Sequence, residues 1–290
     1  MKTTYISYRI AQIFAQILPR RFAYWIGLRI ADRFYTANHK GRRAVISNLR
    51  HIFKAQGKDL SDETLKEMAR KNFQYFGKYV VDFFHFTHLT LAESKRLVQI
   101  EHIEYLQQAE SLDKGVIMIS AHIGSSPAAV ATVKALGKRL NVVIQEEQTS
   151  KINKLMQKYR SKRGMNIIPM GHAAPGVLKA LRRKEIAILL ADWDFTPHNE
   201  PMLFFGAPAR LPSGPARVAV KTGAPILPVF LLRKDDDTFL FRFHPPILPQ
   251  KNSSIDDIRC RIRDVLQAEI GENPLQWFMF TDFWNPGNAL

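Results

Sequence analysis

Cysteine is nearly absent from this 290-residue chain: Cys260 stands alone. A single thiol excludes an intrachain disulfide and a cysteine-built metal cluster, and it fits a reducing compartment. Cys260 lies in the charged helical pattern Asp256-Asp257-Ile258-Arg259-Cys260-Arg261, so it reads as a packed free thiol, not a nucleophile. Long apolar runs are missing too. The best N-terminal stretch, residues 10–18, is broken by Gln12 and Gln16 and closed by Pro19-Arg20-Arg21. It falls short of the ~20 residues a spanning helix needs. It is not followed by a small-residue cleavage site, so it does not read as a signal peptide. No ATPase-type phosphate loop, dinucleotide fingerprint, internal repeat or low-complexity linker is present. Acids are scarce, 26 against 42 Lys and Arg, for a net charge of +16.

That charge is concentrated at the front. Residues 1–50 hold ten basic side chains (Lys2, Arg9, Arg20, Arg21, Arg29, Arg33, Lys40, Arg42, Arg43, Arg50) against Asp32. Tyr5, Ile10, Ile13, Phe14, Leu18, Phe22, Trp25, Ile26 and Leu28 are interleaved with them. Bulky apolar groups at helical spacing, flanked by Arg and Lys, favour an anionic lipid surface over nucleic acid. The expectation is a monotopic protein on the cytoplasmic face of a membrane.

Apolar spacing of three and four predicts helices over residues 5–18, 21–35, 41–53 and 61–86. Short helices and turns follow over 91–108. Apolar runs at 116–120, 141–144, 166–169, 186–191, 226–232 and 238–243 then read as strands. Helical segments near 128–138, 149–163, 174–183 and 213–222 lie between them. This alternation predicts an α/β fold: a mixed, largely parallel central sheet flanked by helices, with a helical N-terminal region. Lys234-Asp235-Asp236-Asp237 reads as a hairpin turn, making the last strand pair antiparallel. Residues 253–270 and 274–283 close the chain as helices. Residues 1–90 are expected to pack, as a basic amphipathic region, on a core formed by residues 91–290.

His122 falls at the carboxyl end of the strand Val116-Ile117-Met118-Ile119-Ser120, where open α/β sheets place ligands. Gly124, Ser125 and Ser126 follow, small enough for a close approach of backbone to ligand. Pro127 suits the first turn of a helix, whose N-terminus would lie beside the imidazole. A neutral imidazole there can take the proton of an attacking hydroxyl, with nearby donors stabilising the oxyanion.

Several ordered blocks carry a family likeness. They are Ser120-Ala121-His122-Ile123-Gly124, then Arg160-Ser161-Lys162-Arg163-Gly164 running to Pro169, then Ala191-Asp192-Trp193-Asp194-Phe195. Phe204-Phe205-Gly206-Ala207-Pro208, Pro212-Ser213-Gly214-Pro215-Ala216-Arg217, Thr222-Gly223-Ala224-Pro225 and Pro274-Leu275-Gln276-Trp277-Phe278 follow. In order and spacing the chain resembles the bacterial lipid A biosynthesis (late) acyltransferases and their glycolipid-acylating relatives. The resemblance implies transfer of a fatty acyl chain from an acyl-carrier-protein or coenzyme A thioester to a lipid or glycolipid, without metal or cofactor. It implies His122 as general base and Arg160 and Arg217 as holders of anionic groups. Ser125, Ser126 and the turn at Gly214 are candidates for substrate binding, with Phe205 beside Phe195 and Phe204 as candidates for the acyl channel.

One departure is specific. The family pattern is a His, four residues, then Asp or Glu, and this chain has Pro127 there. Three readings stay open. Another acid serves His122, from Asp192, Asp194 and Glu200; or the histidine works unassisted; or the protein is a catalytically impaired lipid-binding or accessory protein. Other motifs carry less. Ser126 only faintly matches a nucleophile elbow, since its second glycine is absent. His85 and His88 are spaced for a metal but have no evident third ligand.

Overall fold

The structure is a computed structural model in which residue 13 and residues 17–86, 90–145, 165–194 and 200–285 are described. The expected helix at 149–163 lies outside the described residues, as do nearly all of 5–18, Arg160, Phe195 and His88.

Three helices lead: α1 (Arg20–Ala37), α2 (His39–Ala55) and α3 (Asp62–His85). Their boundaries are chemical. Asn38 accepts the Gly41 N–H at the start of α2, and Ser61 accepts the Thr64 N–H at the start of α3. Helices α1 and α3 meet at glycines: a Cβ on Gly77 would lie 2.7 Å from the Gly27 carbonyl oxygen. A larger residue at position 77 would force the two helices apart, and one at position 27 would press on Val81 and the Gly77 carbonyl at 3.0 and 3.2 Å.

Next come α4 (Leu91–Leu97), β1 (Val98–Glu101), α5 (Glu104–Ser111), β2 (Val116–Ser120), α6 (Ser126–Ala135), β3 (Leu140–Ile144) and β4 (Asn166–Pro169). Helix α7 (Ala173–Arg182), β5 (Ile186–Leu190), the hairpin β6 (Met202–Phe204) and β7 (Ala207–Ala209), and α8 (Gly214–Thr222) follow. Strands β8 (Ile226–Arg233) and β9 (Phe239–Phe243) precede the last helix, α9 (Ile255–Glu272). The seven-stranded sheet has the order β1-β9-β8-β2-β5-β3-β4. Every pairing is parallel except β8 with β9. The expected mixed, largely parallel sheet with flanking helices is therefore what the chain forms, with the antiparallel pair where the Lys234–Asp237 turn put it.

Strand β2 is central and buried on both faces. Val116 and Met118 join a core with Leu106 of α5 and Ala128 and Ala131 of α6. Ile117 and Ile119 join the opposite core with α7, α8 and α9. Burial on both sides explains why its sequence is an unbroken apolar run instead of an alternation.

Three elements differ from the sequence-based expectation. Strand β1 forms where only helices and turns are expected, and β6–β7 forms an unforeseen hairpin. Residues 274–283 do not form the expected helix. A short 3-10 turn, Pro274–Gln276, gives way to extended chain. Its carbonyls are taken by side chains from elsewhere: Asn72 donates to Leu275 O (3.0 Å) and Trp277 O (2.8 Å). Asn48 donates to Met279 O (3.1 Å) and Thr281 O (2.9 Å). A backbone held outward in this way cannot make the i to i−4 bonds of a helix.

Candidate active site

The parallel register of β2 and β5 builds the site. Ser120 pairs with Leu190, and the ladder runs on through the Ala191 N–H to the Ser120 carbonyl at 2.9 Å. His122 and Asp192 each lie the same two positions beyond that pair. The imidazole Nδ1 stands 2.9 Å from Asp192 Oδ1. Asp192 Oδ2 accepts the His122 backbone N–H at 2.9 Å and the Trp277 indole Nε1–H at 2.8 Å. A carboxylate can only accept here, so Nδ1 carries the proton and Nε2 is left as the basic nitrogen.

Burial divides the roles. The Asp192 side chain is 0% exposed, whereas that of His122 is 37% exposed. Burial raises the carboxyl's pKa, but the His122 charge and three N–H donors more than offset it and hold Asp192 below its ordinary value. Burial also disfavours the imidazolium, yet the Asp192 charge and hydrogen bond prevail, and the His122 pKa lies above its ordinary value. The acid thus orients the imidazole and makes it more basic, on a side chain that remains partly exposed.

The loop after β2 is fixed atom by atom. The His122 carbonyl accepts the Phe278 N–H at 2.7 Å, the Gly124 N–H donates to Gln276 O at 3.0 Å, and the Ser125 N–H donates to Leu231 O at 2.9 Å. Ile123 and Trp277 form an antiparallel bridge. Gly124 adopts φ +63°, and a Cβ there would lie 1.9 Å from the Leu231 carbonyl oxygen. The close approach that a glycine permits at this position is thus to strand β8.

The other candidate residues are distributed as follows. Pro127 is buried in the first turn of α6. Asp194 is half-buried two residues past the acid that meets the imidazole. Glu200 is exposed, and its carbonyl accepts from Arg259 at 2.8 Å. Ser125 is 1% exposed, and its hydroxyl donates to Asp82 at 2.7 Å. Ser126 is exposed near the Tyr79 hydroxyl, at 3.3 Å. Phe205 is buried in the β6–β7 turn, its N–H donating to Gln267 at 2.7 Å and its ring beside Phe204 and Trp284. Gly214 begins α8 with open space around it, and Arg217 donates through Nε to the Ser213 hydroxyl at 2.9 Å. The sequence-based list left out Trp277, Gln276 and Asp82. For Asp82 a signal existed: a lone acid within the apolar stretch Tyr79-Val80-Val81-Asp82-Phe83-Phe84.

A separate open cleft of about 1610 Å³ is lined by His51, Lys54, Phe205, Lys234 and Gly271 among others. Neither His122 nor Asp192 lines it.

A buried acid orienting a half-exposed histidine at the strand ends of an α/β sheet is an arrangement able to serve general-base chemistry in group transfer. The model of the bacterial lipid A biosynthesis acyltransferase family matches residues 3–285, and the chain belongs to that family. It is accordingly an acyltransferase of the lipid- or glycolipid-acylating kind. Among curated proteins it is similar to the phosphatidylinositol mannoside acyltransferase of Mycolicibacterium smegmatis, 24% identical over 291 residues, covering 98% of this chain and 92% of that one. It is similar also to that of Mycobacterium tuberculosis, strain CDC 1551 / Oshkosh, at 23% over 258 residues, covering 86% and 79%. Among solved structures, the 1-acyl-sn-glycerophosphate (LPA) acyltransferase PlsC from Thermotoga maritima aligns at a TM-score of 0.41 and 15% identity. That alignment covers 89% of this chain and 99% of PlsC, and at that TM-score it bears on neither substrate nor mechanism.

Proposed function

We propose that this protein transfers a fatty acyl group from an acyl-carrier-protein or coenzyme A thioester to a hydroxyl or amine of a lipid or glycolipid. The reaction takes place at the cytoplasmic face of the inner membrane. The observation that carries this reading is the contact of His122 Nδ1 with the buried Asp192 at 2.9 Å. Nε2 takes the proton of the acceptor group as its oxygen or nitrogen attacks the thioester carbonyl carbon. The C–S bond then breaks, and the imidazolium returns the proton to the leaving thiolate. Asp192 stays ionised throughout and stabilises the imidazolium. This geometry supports competence over the impaired, accessory reading, whose ground was the missing acid at Pro127. The curated relatives are named for a mannoside, and a sugar hydroxyl is the acceptor this favours.

The membrane part rests on α1. Phe22 and Trp25 are 64% and 61% exposed on it, Arg21, Arg29 and Arg33 share the outward side, and Ile17, just before the helix, is 74% exposed. No described helix is long and apolar enough to cross a membrane. An interfacial helix buries such apolar groups and offers arginines to anionic headgroups, drawing the acceptor lipid to the site. Ser126, Arg160, Phe205, Gly214 and Arg217 remain proposals for substrate contact, and Asp194 for a part in the chemistry.

The test is thioester-dependent acylation of extracted lipids by purified protein beside His122→Ala. Loss of transfer in the variant is the expected result, and transfer that survives it refutes the general-base role. Lipid profiles of a deletion strain and its complemented strain would name the acceptor.

A further inference from the structure

Asp82 is a second fully buried acid close to the His122 loop. It is 0% exposed on α3 and takes no part in the chemistry above. Its Oδ1 accepts the Tyr24 hydroxyl of α1 at 2.5 Å. Its Oδ2 accepts the Ser125 hydroxyl at 2.7 Å and pairs with Arg233 of β8, which is itself buried. Arg233 also donates to the Tyr24 hydroxyl at 3.0 Å and to Asp237 at 3.1 Å, and its guanidinium lies over the Tyr24 ring, 4.7 Å from the centroid. Burial, with the Asp82 charge, raises the Tyr24 pKa far above its ordinary value, so its hydroxyl stays a donor.

This cluster sets the start of α6. A serine in the position before a helix ordinarily turns its oxygen back to cap the first turn. Ser125 makes no such cap bond, because its hydroxyl points to Asp82 instead. Arg233 reaches the same loop by a second route. Its N–H donates to the Gln276 side chain at 2.8 Å, its carbonyl accepts from that side chain at 2.9 Å, and the Gln276 carbonyl holds Gly124. Helix α1, helix α3, strand β8 and the C-terminal segment thus meet on the two residues that follow Ile123.

We propose that Asp82 is a positioning residue for acyl transfer: through Ser125 and Tyr24 it ties helix α1 to the loop that carries His122 and fixes the reach of the imidazole. The proposal rests on the acyl-transfer reading given above. It assigns Ser125 to alignment of the loop and gives α1, whose outward side carries Phe22 and Trp25, a mechanical connection to the base.

The test is a double-mutant cycle in the full-length protein. Asp82→Asn would strand a buried guanidinium and risks unfolding the chain, so the cycle uses Ser125→Ala and Tyr24→Phe, each removing a single hydroxyl. Steady-state kinetics are read for all four proteins, with kcat set against KM for the thioester and thermal melts alongside. Ser125→Ala, which loses the bond made directly from the His122 loop to Asp82, is expected to lower kcat about tenfold; Tyr24→Phe, which loses its bonds with Asp82 and Arg233 one step further from the loop, should lower it about threefold, with KM little changed in both. Because both act through Asp82, the double variant should fall about tenfold, not the roughly thirtyfold of independent effects. Wild-type kcat in Ser125→Ala, a loss confined to KM, or effects that multiply would each overturn the proposal. His122→Ala run in parallel separates the two failures. A wild-type protein without transfer sinks the acyltransferase reading, whereas an active one with an inert Ser125→Ala sinks the positioning role alone.

Discussion

Replacing Asp192 by asparagine keeps the shape of the side chain and removes its charge. The structure predicts which way the amide will face. The Oδ2 side receives two N–H groups, from Trp277 at 2.8 Å and the His122 backbone at 2.9 Å, while the Oδ1 side receives the imidazole. Asparagine has one acceptor, and the backbone and indole donors cannot reverse. Facing the amide nitrogen toward them would leave two buried donors unpaired, at about 1–3 kcal/mol each. The carbonyl therefore turns to Trp277, and the NH2 meets His122 Nδ1. That nitrogen must then accept, which moves the ring proton to Nε2. A penalty of at least about 2 kcal/mol leaves about 3% of molecules in the competent tautomer. With the imidazolium also deprived of its counter-charge, kcat should fall by about 10²–10⁴ with the fold intact. The assay is thiol release from the donor in the presence of acceptor lipid, paired with ring ¹⁵N spectra of His122. An Asp192→Asn enzyme within about threefold of wild-type kcat, or one with the proton still on Nδ1, would refute the reasoning.

Five further outcomes are expected. The His122 pKa is raised, and the base works only when neutral, so kcat/KM should be lost as pH falls through a pKa above about 6.5; a limb below that value contradicts the pairing. The same shift adds stability that is full below the unfolded-state pKa and disappears as pH rises through the folded one. The depressed Asp192 pKa adds stability that is full above the unfolded-state pKa and is lost as pH falls from there through the lowered folded value, and denaturant titrations across pH read both. Pro127→Glu should lower the melting temperature without raising the rate, because Asp192 already holds Nδ1 and the new carboxylate would be buried at a cost of several kcal/mol, of order 3–5. Gly124→Ala, with φ +63° and a Cβ 1.9 Å from Leu231 O, should destabilise by about 2–4 kcal/mol and abolish transfer; a stable, active variant would refute the loop geometry. Trp277→Phe should lower kcat about tenfold by removing one donor from Asp192, as read by the same thiol assay.

The central sheet was legible because β2, β5 and β8 are buried enough to be written as apolar runs. The antiparallel β8–β9 pair was legible from its acidic turn. Strand β1 was not: Val98-Gln99-Ile100-Glu101 is four residues long and pairs only with β9 at the sheet edge, too short to establish an alternation. The region 274–283 misled because its apolar spacing records contacts with α2 and α3 that local sequence does not contain. His122 could be singled out from its place at a strand end. Choosing among Asp192, Asp194 and Glu200 required the β2–β5 register, which is a relation between strands. Asp82 and Tyr24 lie 43 and 101 residues before Ser125 in the chain, and no local pattern connects them.

The extended segment at 276–278 carries a consequence for synthesis. Trp277 completes the cage around Asp192, while Gln276 and Phe278 complete the bonds of the His122 loop, so the base is assembled from the middle and the far end of the chain. While those residues are still inside the ribosome, Asp192 lacks its Trp277 donor and His122 and Gly124 lack their backbone partners, so the arrangement is expected to close only after residue 278 has emerged.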